Sequence, residues 1–498
     1  MPMSSPVPAS SAQTRAKPFP VALAVALVVA FAIDLMPLPA GLSESGQRTL
    51  AILAFAVIVW LTEALDYAVS AVLIAALLAL ALGNAPVGDD PKVLLGTARA
   101  LGKALSGFSN SALALVGSAL FLSVALTATG LDRRIAYRTL DLVGTSAKGV
   151  LIGTIAVNIV LSFMVPSTTA RAACVVPIMT GMIVAFGVDR RSVFAASLMV
   201  MVAQAGGVWN IGIMTAAAQN MLTIGFMQKI LNGSPTWMEW LIAGAPFSIV
   251  MSFLLFFLVR RLMPPEKEHI EGGKEAVHKA LSAMGPMTGP EWRLLVTIAV
   301  LIAFWVTEKK LHSIDTTTIT IVGLAVLLLP KIGVMTWPQV QKQVPWGTLM
   351  VFGVGISLGT ALLDTKGATW LADQVVQGLH LESVGAFGVF AGLSLFLIVV
   401  HLGFASAGSL TSALLPILIA VLQRLGGDIN VMGMTLLLGF VVSFGFILPI
   451  NAPQNMVCLG TETFTSKQFT KVGIWLTVIA YIVLLVFALT WWKFLGYV

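Results

Sequence analysis

The stretch "LSFMVPSTTARAACVVPIM", residues 161–179, interrupts a long apolar tract with a proline, three hydroxyl side chains and then an arginine. Hydrocarbon offers an opened backbone no hydrogen-bonding partner. Irregular structure at membrane depth therefore survives only buried in protein or beside a wet cavity. An ionisable side chain there is costly and marks function by default. Proline lacks an N–H and clashes with the turn before it, which ends the incoming helix. The stretch reads as the tip of a helical hairpin inside a membrane.

The composition agrees. Of 498 residues, 58% are hydrophobic and only 10% charged, against about 25% charged in a soluble domain. At about 20 apolar residues per crossing, the chain has room for about ten to twelve spans. The net charge of +7 is then a topological signal, because cytoplasmic loops collect Lys and Arg. No clustered basic face suggests nucleic acid. Cys174 and Cys458 stand far apart in apolar surroundings and read as buried small hydrophobes. The chain shows neither metal-ligand spacing nor a disulfide framework. The polar start, with Arg15 and Lys17, precedes an apolar run from 19 to 37 that is long enough to span. It is read as a retained first helix rather than a signal peptide.

Apolar windows place spans near 19–37, 48–63, 66–84, 110–129, 239–261, 291–308, 313–330, 346–364 and 470–493. Tracts 150–186 and 385–423 are long enough to enter and return, and read as re-entrant hairpins. Tracts 192–228 and 430–460 are interrupted at "AGGVWNIGIMTAAAQN" and "LPINAPQN", and read as broken helices.

The interruptions pair across the chain. "WLTE" at Trp60–Glu63 recurs as "WVTE" at Trp305–Glu308, and Gly130 matches Gly367. "STTARAACVVPI" at Ser167–Ile178 aligns with "SAGSLTSALLPI" at Ser406–Ile417, an offset of 239. "AAQNMLTIG" at Ala217–Gly225 aligns with "APQNMVCLG" at Ala452–Gly460, an offset of 235. One order and nearly one offset argue for an internal duplication.

The expected fold is an all-α polytopic membrane protein of about 11 transmembrane helices plus two re-entrant hairpins, in two repeats. Residues 1–45 form a tail and leader helix, and 46–262 the first repeat with its hairpin near 150–186. Residues 263–290 form a cytoplasmic linker, and 291–498 the second repeat with its hairpin near 385–423. Each half crosses an odd number of times, so the second lies inverted. Basic residues at 15–17, 133–148, 190–191 and 260–293 place the N-terminus in the cytoplasm. Lys92, Arg99, Lys103, Lys309 and Lys310 are exceptions.

Inverted repeats with discontinuous helices build secondary transporters, whose substrate sits near the midplane. A broken helix exposes N–H groups at one new end and C=O groups at the other. The N–H ends suit an anion. Ser167, Thr168 and Thr169 open the returning arm of the first hairpin; Ser406, Ala407 and Gly408 do so in the second. These are candidate substrate contacts, with helix packing as the plainer use of such residues. Gln219–Asn220 and Gln454–Asn455 carry amides in the broken helices. An amide both donates and accepts, so ion binding, substrate binding and capping of the break all remain open. Arg171, within one turn of the first tip, has three readings: pairing with an anionic substrate, standing in for a coupled cation, or holding backbone carbonyls. His401 is read as a hydrogen-bonded structural histidine, with proton coupling as its other use. Glu63, Glu308 and Asn110 sit at span ends and read as structural caps.

From about residue 45 onward the chain resembles the divalent anion/sodium symporter family. Pro449–Asn455, "PINAPQN", matches that family's second broken-helix motif. Pro166–Arg171, "PSTTAR", is similar to the Pro-Ser-Asn-Thr-Ala-Arg form of its citrate/succinate and plastid 2-oxoglutarate/malate translocator branch. The resemblance implies Pro453 and Asn455 beside the substrate and Asn220 in a coupling region. It also implies a homodimer with a scaffold and a moving transport domain, working by an elevator motion. That branch resembles exchangers, which makes a fixed charge replacing a coupled ion the leading role for Arg171. The chain departs at Gly408 and Leu410, where the branch carries Thr and His. The lost hydroxyl removes a carboxylate contact.

The expectation is a sodium-independent exchanger of di- or tricarboxylates in the inner membrane, without a cofactor. The alternative is a symporter with Na+ as coupling ion, taking a dicarboxylate, sulfate or another oxyanion. An enzyme is disfavoured because the five histidines form no paired motif.

Overall fold

The computed structural model describes residues 21–498 except 88–89, 144–145 and 267–272. The basic pair Arg15 and Lys17 and the middle of the expected linker lie outside the described residues. Among those described, everything regular is helical apart from one antiparallel ribbon, Pro86–Val87 with Asp90–Leu94.

Ten helices among the described residues are long and apolar enough to cross a membrane. Shorter apolar helices include Val21–Leu35, Tyr67–Gly83, Thr316–Leu328, Gly385–His401 and Val431–Val441. The leader Val21–Leu35 packs on Glu44–Thr62, where Gln47 donates through Nε2 to the carbonyls of Ile33 and Met36, both at 2.8 Å. At the centre lies Val193–Gly212, buried along its length. Large apolar side chains such as Phe253, Phe257, Trp475 and Ile482 cover the outside. That inverts the soluble pattern and suits lipid.

One order of elements occurs twice. In the first half Glu44–Thr62 and Tyr67–Gly83 lead to Ser111–Thr129, then to paired arms Ala147–Met164 and Thr168–Ala185. An interrupted helix follows, Val193–Gly212 and Ala218–Ile230, and then the long Trp237–Leu262. In the second, Gly289–Thr307 and Thr316–Leu328 lead to Trp346–Asp364 and to arms Gly385–His401 and Ala407–Leu425. The interrupted helix there is Val431–Val441 and Pro453–Leu459, before the long Ser466–Leu489. Local chemistry recurs with it. Trp60 Nε1 donates to Ser70 Oγ at 3.2 Å, and Trp305 Nε1 to Thr320 Oγ1 at 3.1 Å. Pro177 and Pro416 each lie inside a returning arm.

The sequence reading missed five short helices: Thr97–Ala104, Leu131–Val143, Gly273–Ala283, Trp337–Gln343 and Gly367–Gly378. They are too short or too polar for a span-sized window. The third stands within the segment expected to be only a linker. Arg134 fastens that segment's far end, donating to Gly285 O at 2.8 Å and ion-pairing with Glu291 at 2.7 Å. At its near end Glu266 accepts from the N–H groups of Val193 and Phe194, at 2.5 and 3.0 Å, capping the central helix.

Candidate functional site

The two hairpin tips and the two helix breaks meet around one cavity of about 450 Å³. Pro166 breaks the first hairpin and Ser167 caps its returning arm, its Oγ accepting from Ala170 N at 3.3 Å. Ser406 does the same in the second, accepting from Gly408 N at 3.2 Å. Four helices, Thr168–Ala185, Ala407–Leu425, Ala218–Ile230 and Pro453–Leu459, begin at residues that line the cavity. Helix N-termini present unpaired N–H groups and partial positive charge. Helix ends of this kind suit an anion.

The opposite helix ends reach the same region, and their carbonyls would cancel this field if left bare. They are covered. Asn220 Nδ2 donates to the carbonyls of Asn210 and Ile213, at 2.6 and 3.1 Å. Asn455 Nδ2 donates at the same sequence spacings to Gly445 and Leu448, at 3.0 and 3.5 Å. Asn451 Nδ2 donates to His401 O at 2.8 Å and Phe404 O at 3.0 Å, tying the second break to the second tip. Gln219 Nε2 reaches Ser443 Oγ at 3.1 Å and joins the two broken helices.

Arg171 is fully buried just behind the cavity and outside its lining. Its Nη1 donates to Ser162 Oγ at 2.6 Å. Its Nη2 donates to Asn210 Oδ1 at 2.5 Å, Thr168 Oγ1 at 3.3 Å and Gly206 O at 3.4 Å. Among the described residues no carboxylate pairs with it. Its charge stands beside the cavity without a carboxylate partner, which adds to the positive potential there.

Of the residues picked from the sequence, Ser167, Thr168, Thr169, Ser406, Ala407, Gly408 and Pro453 line the cavity. Arg171, Asn220 and Asn455 do not; their Nη and Nδ2 donors bond backbone and neighbouring side chains instead. Asn110 caps Ser111–Thr129, accepting from Ala112 N at 2.7 Å, and Glu308 accepts from Thr316 Oγ1 at 2.6 Å. Both are structural. Cys174 and Cys458 are buried and free.

The lining also includes Tyr67, Ser123, Gln343, Thr348, Phe352 and Ser443, none picked from the sequence. Tyr67, Ser123 and Phe352 belong to helices with no local irregularity, so no sequence signal set them apart. Phe352 explains a departure noted above. A Cβ on Gly408 would lie 2.6 Å from its ring, so Phe352 fills the space a threonine would need. Leu410, in the place of the branch's histidine, is buried in the core.

Broken helices and paired arms that meet at one cavity deep in an apolar bundle are the construction of a membrane transporter. The sodium:sulfate symporter transmembrane region matches residues 19–498, and the chain belongs to that family. It is 61% identical to a membrane protein of Cupriavidus necator over 96% of this chain and 92% of that one. It is 23% identical to the sodium-dependent dicarboxylate transporter SdcS of Staphylococcus saprophyticus, over 90% of this chain and 86% of that one. Among solved structures, the Alcanivorax borkumensis YdaH transporter shares the fold at a TM-score of 0.54 and 14% identity. The match covers 84% of this chain and 97% of that one. The protein is a multi-pass membrane transporter and not an enzyme.

Proposed function

We propose that the chain exchanges small di- or tricarboxylates across the inner membrane, without sodium, through alternating access. The observation that carries this reading is the place of Arg171. Ser162 Oγ, Thr168 Oγ1, Gly206 O and Asn210 Oδ1 converge on its guanidinium. A hard cation such as Na+ seeks oxygen ligands of this kind, and here a permanent cation already holds them. A carrier whose counter-charge is built in has no sodium gradient to draw on, so a second anion drives the return.

The substrate's carboxylates are held by the N–H groups at Ser167–Thr169 and Ser406–Gly408, with Pro453 opening the third wall. The two halves lie inverted about the midplane, 46–262 against 291–498, joined through a cytoplasmic 263–290 segment, with the N-terminus inside. Two copies form a dimer, and the hairpins with their broken helices move as a unit against the remaining helices in an elevator motion.

A second reading keeps sodium coupling. The family description and the sodium-dependent dicarboxylate relative favour it. In that case Asn220 and Asn455 mark the regions where the ion is held, and sulfate or another oxyanion joins the substrate candidates.

Purified protein in liposomes tests the substrate class. Uptake of labelled 2-oxoglutarate, succinate or citrate is expected, with inhibition by excess unlabelled dicarboxylate and none by acetate. Uptake of labelled sulfate with no carboxylate uptake contradicts the carboxylate assignment.

A further inference from the structure

We propose that His401 carries a proton that binds together with the anion, an inference that rests on the anion-transport reading above. His401 is buried, and among the residues lining the cavity it alone can become cationic. Its Nε2 lies 3.3 Å from Asn451 O. A carbonyl only accepts, so Nε2 carries the hydrogen there and Nδ1 of the neutral ring is a bare acceptor. Nδ1 is itself buried in this state and, among the described residues, has no partner. The ring is held in place: Nε2 donates to Asn451 O, Asn451 Nδ2 donates back to His401 O, and a Cβ on Gly445 would lie only 3.1 Å from Nε2. A held imidazole with one unused nitrogen, at the wall of an anion chamber, gains a charged donor by taking up a proton.

The surrounding charges leave this role to the substrate. Val431–Val441, packed against the His401 helix, has no titratable side chain. Arg424 of Ala407–Leu425 is ion-paired with Asp373. On Ser466–Leu489, Lys467 and Lys471 are exposed, and the Tyr481 hydroxyl donates to Ala391 O. Glu382, before the helix, and Glu63, beyond Leu61 where it meets Gly403, are both exposed. Tyr67 lines the cavity and Arg171 lies behind it. No carboxylate among these bonds to the ring, so the acid group that stabilises its charged form is the bound anion's. In the cycle a proton from the cavity water adds to the Nδ1 lone pair as the anion binds. The same proton returns to water when the anion leaves.

Proteoliposome uptake of labelled 2-oxoglutarate, whose carboxyl groups stay ionised from about pH 6 to about pH 8, tests this. In the wild type KM rises as pH rises, by up to about tenfold per unit; in His401→Gln and His401→Asn the KM is flat with pH. A second reading needs no variant: adding the anion to wild-type protein in weakly buffered detergent solution alkalinises the medium. Wild-type uptake with a pH-independent KM, or variants that keep the wild-type pH profile, overturns the proposal alone. Addition of 2-oxoglutarate without proton uptake also overturns it. Failure to transport any carboxylate at any pH overturns the transport reading, and this proposal with it.

Discussion

Arg171 and Thr168 converge on one atom: Arg171 Nη2 lies 2.5 Å from Asn210 Oδ1, and Thr168 Oγ1 donates to the same oxygen at 2.7 Å. One amide oxygen, with Gly206 O beside it, thus fastens the first hairpin tip to the first broken helix. Whatever displaces the guanidinium also loosens Thr168, which lines the cavity.

Arg171→Gln is expected to lower exchange by about one to two orders of magnitude, since each charge-assisted hydrogen bond contributes about 1.5–3 kcal/mol. Arg171→Lys keeps the charge but loses the forked geometry, and is expected to restore only part of the rate. The measurement is counterflow kinetics of the two variants at matched protein density. Full activity in Arg171→Gln makes the residue structural.

The Gly408–Phe352 contact predicts a paired effect. Gly408→Thr overpacks the cavity wall at about 1–3 kcal/mol and lowers the thermal-unfolding midpoint. Phe352→Ala in the same chain restores it, and the two changes are non-additive because the residues touch. Equal losses with and without Phe352 contradict the contact.

How far the site was legible in the sequence follows from what each residue does to the backbone. Pro166, Ser167 and Thr168 break and cap a helix within an apolar run, so they announce the tip directly. Pro449, Asn451 and Pro453 announce the second break in the same way. Asn220 and Asn455 were legible as polar residues in an apolar setting, but an amide capping carbonyls and one facing a ligand look alike until the backbone is traced. Phe352 and Tyr67 sit in uninterrupted helices and reach the cavity only through packing. The amphipathic helix Leu131–Val143 was lost because a charge-rich segment reads as a loop when only hydropathy is followed.

Asn220→Ala and Asn455→Ala are expected to act alike. Each removes the side-chain donor to one carbonyl of a helix break, that of Asn210 or of Gly445, while Ile213 O and Leu448 O keep backbone donors, a loss of about 1–3 kcal/mol. Thermal unfolding in detergent checks both. A large effect in one and none in the other argues against equivalent roles.

Arg134→Ala strands the buried Glu291 carboxylate and the carbonyl of Gly285. Removing one partner of a buried pair costs about 3–5 kcal/mol. The expected outcome is a lower unfolding midpoint and faster proteolysis in the 263–290 segment, with partial recovery when Glu291→Gln is added. An unchanged cleavage rate contradicts a fastening role.

The central claim is that a built-in charge replaces a coupled ion, and trans-stimulation in sodium-free medium tests it most directly. Liposomes loaded with unlabelled 2-oxoglutarate, or left empty, are presented with the labelled anion in choline buffer and then in sodium buffer. The account predicts fast uptake into loaded liposomes, little into empty ones, and no change on adding sodium. Uptake into empty liposomes that appears only with an inward sodium gradient would contradict it.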